Sequence, residues 1–514
     1  MDCSGGTREG VMNRRKAPTG LRDVAYSRIN EMVREAGVKW TRRLRSAAVT
    51  SRRIWLQEIE SVVEECILVR AQLASLPLIL VTEYINGYGI GEFTKIIASY
   101  DCDNGRPRIA RIFERRVHQD TCLNILKTVM FPCITTCDVS KMDSKFVQKL
   151  FINLLYVIPN VEVLILPRAR HLNYTQLLLR RIMLLSRLRE FHFHLGCTRE
   201  IIIQLSEHCP RLNNLSVKDS KRVNDKCVRH LLKLRGLLIL EITGTSVSSN
   251  GYEGILSGLP EIQNVLWYPP IDPILRSLEA PLHSVKTFTG NTSDAQLLVQ
   301  KCPNLTELTL ITIPEETSDL GALRSVATLC IYWCTSTAIR FSNVIIHLGP
   351  NLTVLKLGHV GEITINDLIN SCTVLNSLTM SYCNIDHTGF LDPALPHFRN
   401  LRKLALGNNR GPFDFSSILP LYINLNALRL MFMGEITDTF MRQTVTAGGF
   451  RNLSECFIEF CGDMSMDTAW LLLQNCPNLT KIGSIGTWSR VYEDQVVTFL
   501  NSVMNFNFSL DVLR

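Results

Sequence analysis

One pattern constrains this chain more than any other: apolar-x-x-apolar-x-apolar, returning about fifteen times from residue 134 onwards. It is clearest at Leu305/Leu308/Leu310, Leu352/Leu355/Leu357, Leu375/Leu378/Met380, Leu401/Leu404/Leu406 and Leu425/Leu428/Leu430. Weaker copies begin at Ile134, Val161, Leu188, Leu212, Leu237, Ile262, Val285, Val326, Leu453 and Leu479, with Val285 and Leu479 the poorest in register. Successive copies lie 20 to 28 residues apart, averaging near 25. A self-similar period of this length means stacked supersecondary units rather than an ordinary globular core.

The last two apolar positions of each copy are two residues apart, so on a short strand both point the same way. The segment between copies must return and bury an apolar face of its own. In SKFVQKLFINLLYV (144–157), Phe146, Leu150, Ile152, Leu154 and Val157 fall within reach of one helical face. DKCVRHLLKL (225–234) and TAWLLLQNC (468–476) are similar. The expected fold class is α/β: a right-handed leucine-rich-repeat horseshoe, parallel strands concave and helices convex, with an N-terminal helical cap. One such unit cannot close a core, but about fifteen stacked units over 131–514 can.

The phrase CPNLT stands at 302–306 and 476–480, and CPRL at 209–212. Aligned on the first leucine, Cys209, Cys302, Cys372 and Cys476 lie three positions before it. Cys334, Cys383 and Cys461 lie eight positions after it, with Asn409 in the same slot. Seven of the 17 cysteines thus have a phased structural place, at the end of a return or at the turn off a strand. Paired Cys-x-x-Cys elements are missing; Cys133-x₃-Cys137 and Cys330-x₃-Cys334 are the nearest approach, so the phrase reads as structural rather than metal-binding. No cofactor is expected. The polar, basic start MDCSGGTREGVMNRRK is unlike a secretion signal, which predicts thiols in a reducing, intracellular compartment, the cytoplasm with the nucleus left open.

The Cys-Pro-x-Leu phrase, with Ile436-Thr437-Asp438 after a strand and degraded forms at Val223-Asn224-Asp225 and Ile363-Thr364-Ile365, resembles the cysteine-containing repeat of F-box/leucine-rich-repeat proteins. The resemblance covers roughly 130–514. It implies a protein-binding solenoid that could serve as the substrate receptor of a cullin-type ubiquitin ligase.

Residues 1–17 are expected to form a disordered basic tail, and 18–130 a helical region. Leu21 opens a helical stripe that runs to Ala36, and 38–76 contains neither Gly nor Pro, with Pro77 standing just beyond it. The piece LRSAAVTSRRIW, Leu44 to Trp55, is similar to the second half of an F-box, although the leading Leu-Pro is missing. GLRDVAYSRI at 20–29 is similar to an elongin-binding box, with Ala25 in the cysteine slot. These resemblances imply a Skp-type or elongin B/C adaptor docking through Leu21, Ile29, Leu44 and Trp55. The other reading of the same region is a cap that closes the first repeat. The glycines of NGYGIGEF (86–93) alternate and no Lys-Ser/Thr follows, so this is not a phosphate loop.

Composition narrows the rest. The net charge is +8, but residues 1–60 hold 13 Lys/Arg against 7 Asp/Glu, so the remaining chain is nearly neutral. A nucleic-acid interface needs its basic stripe on the binding surface, and nucleic acid is therefore not expected as a partner. The longest apolar run, near 76–81, is interrupted by Pro77 and too short for a bilayer. Nucleophile elbows, zincin motifs and phosphate loops are not found, and the reading is non-enzymatic. His192 and His194 share a strand face, but Val163, Ile165, Asn214 and Ser216 beside them supply no good zinc ligand.

Function is expected on the outward positions of the strands, the concave face: Glu190, His192, His194, Lys218, Tyr268, Glu307, Tyr332, Lys356, Arg429, Met431, Glu455, Phe457 and Glu459. Mixed charge with Tyr, Phe, Met and Arg is the composition of a protein–protein surface. Tyr268, Tyr332, Arg429 and Phe457 are the preferred anchors, with His192, His194 and Lys356 beside them. A scaffold without any link to ubiquitin remains the second reading.

Overall fold

The computed structural model describes residues 135–140, 145–168, 175–334, 338–386, 400–410, 419, 424–505 and 511–513. The expected basic tail, the expected helical region with Leu21, Ile29, Leu44 and Trp55, and the glycine-rich stretch at 86–93 lie outside the described residues. Two compact units divide the chain, one ending at Ile262 and the other running from Gln263 to the C-terminal end.

The first unit carries a five-stranded parallel sheet in sequence order: β1 (Thr136–Asp138), β2 (Val163–Ile165), β3 (Glu190–His192), β4 (Asn214–Ser216) and β5 (Ile239–Glu241). The second carries β6 (Asn264–Pro270), β7 (Thr287–Asn291), β8 (Glu307–Leu310), β9 (Thr328–Tyr332) and β10 (Val354–Gly358), again parallel neighbours in order. After β10 come two short strands, β11 (Glu362–Thr364) and β13 (Asn384–Asp386), which pair with each other, Asn384 also bridging to Arg410. The main sheet continues through β12 (Ser377–Ser381), β14 (Lys403–Gly407), β15 (Ala427–Met431), β16 (Glu455–Glu459), β17 (Lys481–Gly483) and β18 (Asp511–Leu513). This is the α/β repeat architecture that the period implies, each strand joined to the next by a returning segment.

Register follows from the apolar template. Leu355, Leu378, Leu404, Leu428, Cys456 and Ile482 are successive Cα partners and all are buried. The second row, Leu357, Met380, Leu406, Leu430 and Ile458, is buried beside it. A one-residue slip would turn both rows to solvent, so the leucines fix the pairing. The weak copies obey the same rule: Phe288 pairs with Leu308, and Ile482 with Cys456, both in the buried row.

The returns are more varied than uniform helices. Residues 145–154 are α-helical and 155–157 form a 3₁₀ turn. In 225–234 only Val228–Leu231 is α-helix, preceded by a 3₁₀ turn at Asp225–Cys227, and the return before β9 is the 3₁₀ segment Ser318–Ala322. The shortest spacings, 20 and 21 residues, flank Leu305 and leave least room for a helix. Strand β18 adds a row for which the sequence shows no template copy; its Val512 is the Cα partner of Ile482.

Polar side chains tie one return to the next. Ser248, Asp294, Thr437 and Ser465 cap their helices by accepting from backbone N–H groups within the first turn. A carboxylate of the preceding repeat holds two of these caps, Ser248 and Ser465, and the residue before a third, Asp294. Asp225 accepts from the Ser248 N–H at 2.8 Å, Asp272 from the Ser293 N–H at 3.0 Å, and Asp438 from the Ser465 N–H at 3.0 Å. Asp438 and Asp225 close the two Thr/Asn-Asp elements singled out in the sequence, so that element is a stacking device.

The phased cysteines have clear places. Cys209, Cys302, Cys372 and Cys476 each end a helix, with the N–H bonded four residues back and the side chain fully buried. Burial pushes each of these four thiols up to about 12, so they stay protonated at neutral pH. In the other slot, Asn409 accepts from the Cys383 N–H at 3.0 Å and donates to the Met380 carbonyl at 3.1 Å. Among the described residues no group of three His, Cys, Asp or Glu side chains converges as a metal site would. No described helix is long and apolar enough to cross a membrane.

Candidate functional site

The two units present different strand faces. In the first unit the face is a polar network. Ser216 Oγ donates to Glu241 at 2.7 Å and lies 2.9 Å from His194 Nε2, while Lys218 Nζ sits 2.9 Å from the same Glu241 carboxylate. His192 stacks on His194 with ring centroids 6.2 Å apart, and its Nε2 is 3.0 Å from Glu190 without hydrogen-bond alignment. Burial lowers the His194 pKa, and the Lys218, His192 and Arg168 charges lower it further. Burial alone would raise Glu241, but the hydrogen bonds from Ser216 and Lys218 and the Lys218 charge hold it below the usual carboxylate value.

This network is not a nucleophile arrangement. Ser216 gives its proton to Glu241, so neutral His194 must offer Nε2–H to the serine oxygen. An imidazole in that tautomer cannot take the serine proton. Glu241 escaped the sequence reading because it lies one strand beyond Ser216, although its outward position on β5 was legible.

In the second unit the preferred residues sit on one sheet face but do not form one patch. Tyr268 is exposed near the β6 end. Tyr332 is half-buried, its ring packed over Gly358, where a Cβ would lie 2.8 Å from the ring. Burial pushes its phenol up. Phe457 covers Gly483 in the same way. The Arg429 guanidinium lies 5.2 Å above the Phe457 ring and 3.2 Å from Glu459, a cation–π and ion-pair cluster. Lys481 pairs with Glu455 at 2.8 Å. Lys356 and Lys403 are exposed and have no ion-pair partner among the described residues.

The feature that sequence reasoning missed runs along the end of the strands. Seven positions after the first leucine, the chain enters the left-handed region: Trp333 (φ 58°), His359 (53°), Tyr382 (56°), Asn408 (46°), Phe432 (53°) and Phe460 (49°). The hydrogen-bond ladder causes this. The N–H of Trp333, His359, Tyr382, Asn408 and Phe432 each donates to the last strand carbonyl of the next unit, at 2.8–2.9 Å. Extending the ladder by one residue while turning off the strand demands a positive φ, which costs a non-glycine residue about 1–3 kcal/mol.

Except at Asn408, the side chains thrown outward there are rings. Trp333 and His359 stack with centroids 3.9 Å apart and planes 7° off parallel; His359 and Tyr382 stack at 4.6 Å and 1°. Phe432 and Phe460 stack at 5.1 Å and 8°. Trp333 is 67% exposed, Phe460 54%, Tyr382 46% and Phe432 46%. Ring stacking returns about 0.5–1.5 kcal/mol per pair, which offsets the strain only in part. Counting seven from each first leucine would have found the row; the eye misses it because the spacing in sequence is irregular.

No protein-family model matches the chain, and no curated protein matches it. Among solved structures it is similar to an internalin from Listeria monocytogenes, at 14% identity over 79% of this chain and 96% of that one, TM-score 0.33. It is also similar to a leucine-rich-repeat protein of Leptospira interrogans, at 15% identity over 70% and 91%, TM-score 0.35. A third is internalin C2 from Listeria monocytogenes, at 15% identity over 46% and 84%, TM-score 0.26.

Proposed function

We infer, from a leucine-rich-repeat solenoid with strongly outward-facing side chains, that the protein is a non-catalytic protein-binding module that uses its strand side. The observation that carries this reading is the exposed aromatic row beside the Arg429–Phe457–Glu459 cluster. Large rings held out in strained backbone, next to a partly desolvated arginine, are the anchors that protein interfaces favour. Affinity purification of the full chain, wild type against an Arg429→Glu/Phe457→Ala double variant of unchanged circular dichroism, tests it. Partners recovered by the wild type and lost from the variant support the reading; identical recovery from both removes this cluster as the binding surface.

The finer reading is a substrate receptor of a cullin-type ubiquitin ligase. Its support is the resemblance at Leu21–Ile29 and Leu44–Trp55 in front of a binding solenoid. Adaptor boxes dock through apolar helix faces, so Leu21→Asp is expected to break an elongin B/C contact and Trp55→Asp a Skp-type contact. Recovery of neither adaptor nor any cullin with well-folded protein would leave the scaffold reading in its place.

A further inference from the structure

We propose that the one-rung gap at Asn408, between the exposed rings of Tyr382 and Phe432, receives an aromatic side chain from an acidic segment of a partner protein. The inference rests on the protein-binding reading and gives it a place and a chemistry.

The gap is a property of the register. Ser381, Gly407 and Met431 are successive Cα partners, so Tyr382, Asn408 and Phe432 occupy three consecutive rungs. The rungs on either side carry rings already stacked at 3.9–5.1 Å, close to the strand spacing. Asn408 alone breaks the series from Trp333 to Phe460. Two rungs, about twice the ~4.8 Å strand repeat, separate Tyr382 from Phe432, and one inserted ring would stack on both. The inner faces of this slot are the Tyr382 face turned from His359 and the Phe432 face turned from Phe460.

Charge and shape beside the slot select the rest of the partner. The neighbouring outward positions are small: Thr379, Ser381, Ala405 and Gly407. An extended chain can therefore approach the sheet there. Lys356 on β10 stands beside that shelf as the Cα partner of Thr379, and Lys403 on β14 lies at its strand-start end as the Cα partner of Ser377. Neither has a described carboxylate to pair with, whereas Arg429, Lys481 and Arg490 do. With no carboxylate partner among the described residues, these two cations on the strand-start side of the slot favour Asp or Glu next to the partner's aromatic residue. A nucleic-acid strand is disfavoured, because it needs a continuous cationic track and several open ring faces. Here most faces are taken by neighbouring rings, and Glu455, Glu459 and Asp463 lie farther along the same side.

The test pans a random dodecapeptide display library against the full chain, then measures enriched peptides on variants. Asn408→Trp fills the slot, and Trp333 shows that this backbone position accepts tryptophan. Expected are peptides with an aromatic residue next to acidic ones, binding N408W and the Lys356→Glu/Lys403→Glu pair about tenfold or more weakly. Asn408→Gly, which leaves the slot open, should keep binding, and the melting temperature of N408W should be unchanged or higher. Enriched peptides that bind N408W as well as wild type overturn the proposal, as does a library that yields no aromatic–acidic class. N408W-sensitive binding of oligo-dT would reassign the slot to nucleic acid, and N408W-sensitive self-association in sedimentation to a second copy. Cellular partners lost by Arg429→Glu/Phe457→Ala but kept by N408W would overturn the slot while leaving the protein-binding function standing.

Discussion

Asp438 accepts a hydrogen bond from the Ser465 N–H at 3.0 Å, and Ser465 itself caps the next helix, Met466–Asn475. Thr468 adds a second bond, Oγ1 to the same carboxylate oxygen at 2.6 Å. A residue in the first turn of one helix therefore anchors the start of the next. Burial alone would raise the Asp438 carboxyl, but these bonds and the Arg490 charge hold it below the usual carboxylate value. Asp438→Ala should destabilise by about 1.5–3 kcal/mol, the range for hydrogen bonds to a charged group. The folded-state value is depressed, so the stabilisation is present above the unfolded value near 3.8 and is lost as pH falls through the folded one. Urea unfolding at pH 6 and below pH 4 should show a gap between wild type and variant that shrinks in acid.

Truncating the inward row separates it from the outward one. Leu308 and Leu355 are buried, so Leu→Ala at either should cost about 2–5 kcal/mol. Thr309→Ala and Lys356→Ala, each one residue along the same strands, should cost about 0.5 kcal/mol or less. Equal destabilisation by both sets in chemical denaturation would dissolve the register.

The buried helix-end thiols should be silent. With Cys302, Cys372 and Cys476 pushed up to about 12 and buried, native protein should react slowly with a disulfide probe at pH 8. Reaction should become fast and complete in denaturant. Rapid native-state labelling of these three, mapped by mass spectrometry, would contradict their place in the core.

His194 supplies a second acid-sensitive contribution. Its pKa is lowered by burial first and by Lys218, His192 and Arg168 next. The unfolded chain therefore takes up this proton at a higher pH than the folded one, and stability falls as pH drops below about 6.5. His194→Gln, which can still meet Ser216, should flatten that part of the profile. An unchanged slope between pH 7 and 5.5 would mean that the histidine titrates freely.

Register was legible because the leucine pattern has one phase: a strand that buries Leu355 and Leu357 must expose Lys356. The weak copies at Val285 and Leu479 fell into place because their neighbours on both sides impose the same pairing. Less legible were contacts between units. Glu241 meets His194 only through Ser216, and the Asp438–Ser465 bond joins residues whose separation is set by loop length. The ring row at Trp333, His359, Tyr382, Phe432 and Phe460 carries no pattern in period 2 or 3.6. It emerges only when the turn off each strand is known to be left-handed.

Binding on the strand side, as proposed above, is put to the test by surface exchange. Two variants are compared in quantitative affinity purification: Arg429→Glu/Phe457→Ala on the strand side, and Ile339→Glu/Ile346→Glu on the helix Ala338–Leu348, whose isoleucines are also exposed. Bound partners should fall to background with the first variant and persist with the second, both proteins melting as wild type. Partners retained by the strand-side variant and lost from the helix-side one would contradict it.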